Sequence, residues 1–404
     1  VSLPDAASPT WRTDLPSPAP GPAPVTLAGL SVRDLGPWSA VRLDFDPTTP
    51  QTIVLLGDNA SGKTALLRAL VLALLPNGLP TAIQFDDDTP QLIRLGQEKA
   101  EVVVDFGEKR STLTLTPEGA RRDQNPPPTF VVAYGARRSS ALGGHSKAVN
   151  YSPKVAVGTL FSEATDLIHT RTFLALQKER PNDGLAPAIS ALLARLLPGV
   201  EEVLVESGEV TLRWKDGRAT PLSVASDGYV TTVGWVVDMV ARWWNHEHAA
   251  GQPVPANFAE QMVGVAVVDE VDLHLHPRWQ RRIIDTIREI FPRMTFVFST
   301  HSALTLLGRH PTQVFRCART SQGFVAEKLP PIDAASAESL LTGAWFGLDT
   351  TVDQETADLL VERAEAVRTG SGDVAALTDR VQARLRGGRS TAWDRMALEA
   401  LDEV

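Results

Sequence analysis

Cysteine is almost missing from this chain: Cys317 is the single one in 404 residues. One cysteine excludes an internal disulfide, leaves no thiol cluster for zinc and fits a reducing, cytoplasmic setting. Cys317 itself reads as a small buried apolar residue. Long apolar runs are missing too, so no stretch is long enough to span a membrane. The opening VSLPDAASPTWRTDLPSPAPGPAP lacks the basic-then-apolar layout of a secretion signal. Positive charge is in deficit, with Lys and Arg numbering 39 against 48 Asp and Glu, a net −9. That balance excludes a generic nucleic-acid binder driven by bulk electrostatics. Arg137-Arg138 and the run Arg278 to Arg282 stay open as local basic patches or as plain solvated arginines. Internal repeats and sustained heptads are also lacking, which argues against a long coiled coil.

What is present is a globular composition, 43% hydrophobic and 22% charged, with ample core. The length suits two or three ordinary domains or one elaborate one. The richest segment is Gly57 to Thr64, GDNASGKT, which fits the phosphate-binding pattern G-x-x-x-x-G-K-[ST]. The apolar run Ile53 to Leu56 precedes it and reads as a buried strand; Ala65 to Leu72 follows and reads as a helix. In that context the loop amides and the free amides of the first helical turn converge on one anion position. Gly57, Asn59, Ser61 and Gly62 shape the loop, Lys63 brings a charge to the β- and γ-phosphates, and the Thr64 hydroxyl can reach Mg²⁺.

Three further segments add chemistry. Val265 to Val268 is an apolar strand that ends in Asp269-Glu270. Asp269 suits a Mg²⁺ contact and Glu270 a general base for an attacking water. Phe296 to Phe298 is a second buried strand, ending in Ser299-Thr300-His301, where His301 can reach a γ-phosphate. Ala225-Ser226-Asp227-Gly228 opens a long helix, so Ser226 is either a simple N-cap or part of an anion site formed with Gly228. The pairs His274/His276 and His246/His248 lack the further ligands a zinc site needs.

Together and in this order, these segments resemble the ABC-type ATPases, in the RecF/SMC-like, overcoming-lysogenization-defect-like branch. The run Asp269-Glu270-Val271-Asp272-Leu273-His274-Leu275-His276-Pro277-Arg278-Trp279-Gln280 is similar to that branch's D-E-x-D-x-H-L-H-P-x-W-Q, Ser299-Thr300-His301-Ser302 to its T-H-S switch, and Ser226-Asp227-Gly228 to its S-D-G signature. The resemblance covers about Val25 to Phe315. It implies an α/β P-loop NTPase of ABC head type, a mixed sheet with flanking helices, a helical lobe and a C-terminal helical segment. It implies ATP and Mg²⁺ as cofactors, catalytic Glu270 and His301, metal contacts from Thr64 and Asp269, and an ATP-sandwich homodimer or higher oligomer. In that sandwich, Ser226 of one copy caps ATP on the P-loop of the other. It further implies a separate effector such as a nuclease in prokaryotic anti-phage defence, similar to Septu- and PARIS-type systems, and no membrane partner. The alternatives are a DNA-repair-type ATPase acting on DNA ends and a slow-turnover scaffold or sensor. The sequence departs from the family at Ala60, where Gly is usual, and at Gly36-Pro37-Trp38, where many relatives carry an Arg-Gly-Phe type turn. The usual Gln after the lobe-joining strand is not evident; Tyr134 to Arg138 occupy its place.

The expected organisation is a Pro-rich leader at 1–24, an ATPase lobe with the P-loop at 25–155, a helical lobe with small hairpins at 156–225, the signature helix, acidic strand end and switch His at 226–333, and an acidic helical segment at 334–404. Strands are also expected at Leu92 to Leu95 and Met262 to Val268. A mobile loop is expected over 139–155, and helix over 160–197 in two pieces.

Overall fold

A computed structural model describes residues 24–47, 51–87, 89–138, 152–163, 165–178, 185–206, 209–247, 255, 257–307, 312–332, 336–343, 345–346, 350–370 and 372–387. The expected leader before residue 24, most of the expected loop over 139–155 and residues 179–184 between the two expected helical pieces lie outside the described residues. The same holds for residues 207–208 and 388–404. The chain divides into two compact units, Val1–Asp333 and Ala334–Val404.

In the first unit the P-loop strand Thr52–Leu56 is buried at every position. It lies inside a six-stranded sheet whose order is Gly323–Lys328, Gln313–Thr320, Thr52–Leu56, Met294–Thr300, Gly264–Val268, Val131–Tyr134. All strands but the edge strand Gly323–Lys328 run parallel. Burial on both faces explains why the central strands read as unbroken apolar runs rather than alternating ones. A second, antiparallel sheet has five strands, ordered Trp38–Asp44, Gly29–Leu35, Ala100–Phe106, Lys109–Thr116, Gly119–Arg122. Helix Lys63–Leu74 shares one core with both sheets: Leu66, Leu67, Leu70 and Val71 cluster with Val32, Val102 and Leu113 and with Val265 and Val297. Its apolar residues leave almost no polar face, which is what a helix between two sheets needs. The architecture is the mixed α/β P-loop arrangement read from the sequence.

The parallel register is what builds the site. Leu56 pairs with Thr300, Phe298 with Val268, and Val268 with Tyr134. The residues just past these strands, Gly57, His301, Asp269 and Gly135, therefore collect along one edge, where open α/β sheets bind ligands. The 21-residue helix Asp227–Glu247 and the smaller helices Thr170–Lys178 and Leu185–Leu196 accompany a three-stranded sheet, Val200–Glu206, Glu209–Trp214 and Ala219–Pro221.

Four expectations change. Leu92 to Leu95 is not a strand: Ile93 makes one bridge to Leu35, and the chain then turns at Gly96, φ +82°. The strand expected from Met262 starts at Gly264, because Met262 closes the short helix Phe258–Gln261. Leu167 and Ile168 precede their helix rather than joining it, since the Ile168 amide donates to Asp238 Oδ1 at 2.8 Å instead of entering a helical ladder. Within 139–155, Pro153 opens a short helix to Val157. The reading also missed the hairpin Gln313–Thr320/Gly323–Lys328 and the helix Leu79–Gln84.

The second unit holds helices Ala337–Thr342, Gln354–Thr369 and Val374–Gly387. Leu359, Ala366, Leu377 and Val381 form its small core. Asp353 caps the middle helix by accepting from the Thr356 amide at 3.1 Å.

Candidate nucleotide site

The P-loop holds its shape through positive-φ residues, and two glycines are required for reasons visible in their surroundings. At Gly57, φ +153°, a Cβ would lie 2.1 Å from the Cys317 carbonyl oxygen. At Gly62, φ +90°, it would lie 2.8 Å from the Trp38 indole nitrogen. Trp38 is fully buried, and its Nε1 donates to the Gly62 carbonyl at 3.0 Å. The Gly36-Pro37-Trp38 departure thus places an indole beneath the loop. Ala60 takes φ +61°, a left-handed position that costs a non-glycine residue roughly 1 kcal/mol. Asn59 is exposed on the loop, and Ser61 is buried.

Lys63 is 6% exposed, and its ammonium donates to the carbonyls of Gly57 and Asp58, both at 2.7 Å. Burial lowers its pKa, opposed first by the negative charge of Asp269 and also by those of Glu270 and Asp272. The next residue joins the two halves of the site: Thr64 Oγ1 donates to Asp269 Oδ2 at 2.7 Å across 205 positions of sequence. The other oxygen, Asp269 Oδ1, accepts from the Ser299 hydroxyl. Ser299 in turn accepts from the Glu270 amide at 2.8 Å. Asp269 is 3% exposed, so its carboxylate is fixed from two sides.

A cavity of about 500 Å³ opens beside these groups, lined by Thr64, Arg68, Asp269 and Glu270 and by the loop segments around Gly135 and Thr159. Thr64 and Asp269 offer hydroxyl and carboxylate oxygens, the hard donors Mg²⁺ takes, so the donor set fits that ion. His301 directs Nδ1 to Asp272 Oδ2 at 3.3 Å; its side chain is 48% exposed and that of Asp272 1%.

Ser226 and Gly228 sit elsewhere on the same unit. Gly228 packs against the loop after Asp269-Glu270, where a Cβ would come within 2.5 Å of the His274 carbonyl. Ser226 is exposed, and its carbonyl accepts from the Tyr229 and Val230 amides, so it stands at the helix start. Hydrogen bonds join Lys63 to Gly57 and Ser61 and Thr64 to Asp269, Glu270 lines the same cavity as Thr64 and Asp269, and His301 follows the adjoining strand.

Sequence reasoning missed three participants. The motif Ser299-Thr300-His301-Ser302 gives Ser299 no role by itself, although a serine one strand over from an acidic pair is a natural hydrogen-bond donor to it. Asp272 was likewise only a motif letter. The sequence leaves Arg137-Arg138 open as a basic patch or as solvated arginines; Arg137 is exposed and pairs with Glu163, but Arg138 is 5% exposed and directed inward. The arginines at 278, 281 and 282 are exposed on the helix Pro277–Ile290.

The family described as "AAA domain, putative AbiEii toxin, Type IV TA system" matches residues 121–307. A "Septu protein PtuA" of Bacillus mycoides is 26% identical over 322 residues, 74% of this chain and 41% of its own length. A "Retron Vc95 probable ATPase" of Vibrio cholerae is 33% identical over 92 residues, 23% of this chain and 17% of its own. The chain therefore spans less than half the length of these two relatives. A solved Smc head bound to the C-winged helix domain of ScpA aligns with a TM-score of 0.48 at 15% identity, covering 75% of this chain and 97% of its own.

Proposed function

We propose that this ABC-type, SMC-like ATPase, a relative of Septu and retron ATPases, binds ATP with Mg²⁺ and closes around it with a second copy. It hydrolyses the nucleotide and so switches a separate effector, a nuclease being the chemistry that suits anti-phage defence. The observation that supports this most is the Thr64–Asp269 hydrogen bond, which joins the phosphate loop to the acidic strand end.

In this reading Lys63 leaves the Gly57 and Asp58 carbonyls and takes the β- and γ-phosphate oxygens. Thr64 and Asp269 would hold Mg²⁺, which supplies charge neutralisation to the phosphates. Glu270 orients the attacking water and accepts its proton, while His301, held by Asp272, meets the γ-phosphate. Ser226, exposed at a helix start, serves the nucleotide of the second copy rather than its own.

The test is steady-state ATP turnover with and without DNA and effector. Glu270→Gln should abolish turnover while ATP stays bound, and Lys63→Ala should remove binding. No turnover by the wild-type chain under any of these conditions would replace hydrolysis by the scaffold reading, in which bound ATP holds an assembly together. Turnover that depends on DNA ends would favour the repair-type reading.

A further inference from the structure

Arg138 follows the lobe-joining strand Val131–Tyr134 by four residues and turns back under the acidic strand end. Its Nη1 donates to the Asp269 carbonyl at 2.6 Å and the Gly135 carbonyl at 3.0 Å. Its Nη2 donates to the Glu270 carbonyl at 3.0 Å. The residue is 5% exposed, and burial pulls its pKa down to about 10, opposed by the charges of Asp269, Glu270 and Asp272. The charge of this buried guanidinium is met by three carbonyl oxygens, two of which belong to the acidic pair.

Those carbonyls flank an unusual bend. Glu270 has φ +47°, a left-handed conformation that a glutamate rarely adopts. The bend turns the chain from the strand so that Glu270 lines the cavity beside Thr64 and Asp269. From the other side the Glu270 amide donates to Ser299, and the Val271 amide donates to the Ser299 carbonyl at 3.0 Å.

We infer that Arg138 is a positioning residue for Glu270: its guanidinium holds the Asp269 and Glu270 carbonyls so that the strained turn persists and the Glu270 carboxylate faces the reacting phosphate. The planar fork matters, because it divides the three carbonyls between two nitrogens held in fixed geometry, whereas lysine offers a single nitrogen. The inference rests on Glu270 being the base, so its test has one arm that reads turnover and one that does not.

In the first arm, Arg138→Lys is compared with wild type for nucleotide affinity and turnover. ATP affinity should stay within about threefold while kcat falls about 100-fold, the usual cost of misplacing a reacting group. Millimolar guanidinium should restore part of the kcat of Arg138→Ala. A kcat of Arg138→Lys close to wild type would overturn the inference. The second arm needs no hydrolysis. Thermal unfolding is measured for Arg138→Lys in the wild-type and Glu270→Gly backgrounds, glycine accepting φ +47° without strain. The drop in Tm caused by Arg138→Lys should shrink by at least half in the Glu270→Gly background. An equal drop in both backgrounds would contradict a role in holding this turn. A wild-type chain without turnover refutes the hydrolysis reading and leaves the second arm to decide the role of Arg138.

Discussion

At the residue scale, the P-loop depends on contacts that its motif does not contain. Gly62→Ala would drive a methyl into the Trp38 ring and add side-chain strain at φ +90°. We expect it to cost about 1–3 kcal/mol and to weaken nucleotide binding, as measured by denaturant unfolding and fluorescent-nucleotide titration. Trp38→Phe keeps most of the ring but removes the donor to the Gly62 carbonyl, a loss of about 1 kcal/mol in the same unfolding experiment. Cys317 makes a different prediction. It is 1% exposed, and burial pushes its thiol up to about 12. At pH 8 it is therefore protonated and shielded, so a thiol reagent should label the native chain negligibly and the denatured chain stoichiometrically. The glycines, Lys63 and Thr64 were legible in the sequence because phosphate chemistry fixes their spacing. Trp38, Ser299 and Arg138 were not, because their roles depend on which distant segment lies beside them. Arg138 shows the reason best: an arginine next to an arginine looks like surface charge until a fold directs one of them inward.

At the scale of elements, the helix Asp227–Glu247 is tied to the sheet by a buried polar cluster. Tyr134 donates to Asp238 Oδ2 at 2.8 Å, and Arg242 reaches both Asp238 oxygens at 2.7 and 2.9 Å. The Ile168 amide completes the set. Asp238 is 1% exposed and Arg242 4%, so removing the carboxylate takes away a buried counter-charge that two of the arginine's nitrogens contact. Asp238→Ala should destabilise by about 3–5 kcal/mol, and Tyr134→Phe by about 1.5–3 kcal/mol, read from chemical denaturation. The cluster also places the helix that begins at Ser226 relative to the strand whose Tyr134 carbonyl accepts from the Asp269 amide at 2.8 Å. The parallel strands were readable from their unbroken apolar runs. The hairpin Gln313–Lys328 and the three-stranded sheet's last strand were harder, because short half-exposed strands carry weak periodicity. The failed strand at Leu92 to Leu95 has the same cause, an apolar cluster used for one bridge and a turn.

At the scale of the whole molecule, the division at Asp333/Ala334 separates a large α/β unit from a small helical one. A chain ending at residue 333 should fold, unfold cooperatively and bind ATP with wild-type affinity, checked by calorimetry and nucleotide titration. Among the described residues no helix is long and apolar enough to cross a membrane. Lys63 and Ser226 belong to one chain, and in the proposed two-copy site they serve different nucleotides. The most direct measurement mixes Lys63→Ala with Ser226→Arg and follows ATP turnover. Each variant alone should be inactive. In a mixed dimer the intact Lys63 of one copy meets the intact Ser226 of the other, so an equimolar mixture should regain about a quarter of the wild-type rate, half the dimers being mixed and each carrying one whole site. Full activity of Ser226→Arg alone, or no recovery on mixing, would contradict a site built from two chains.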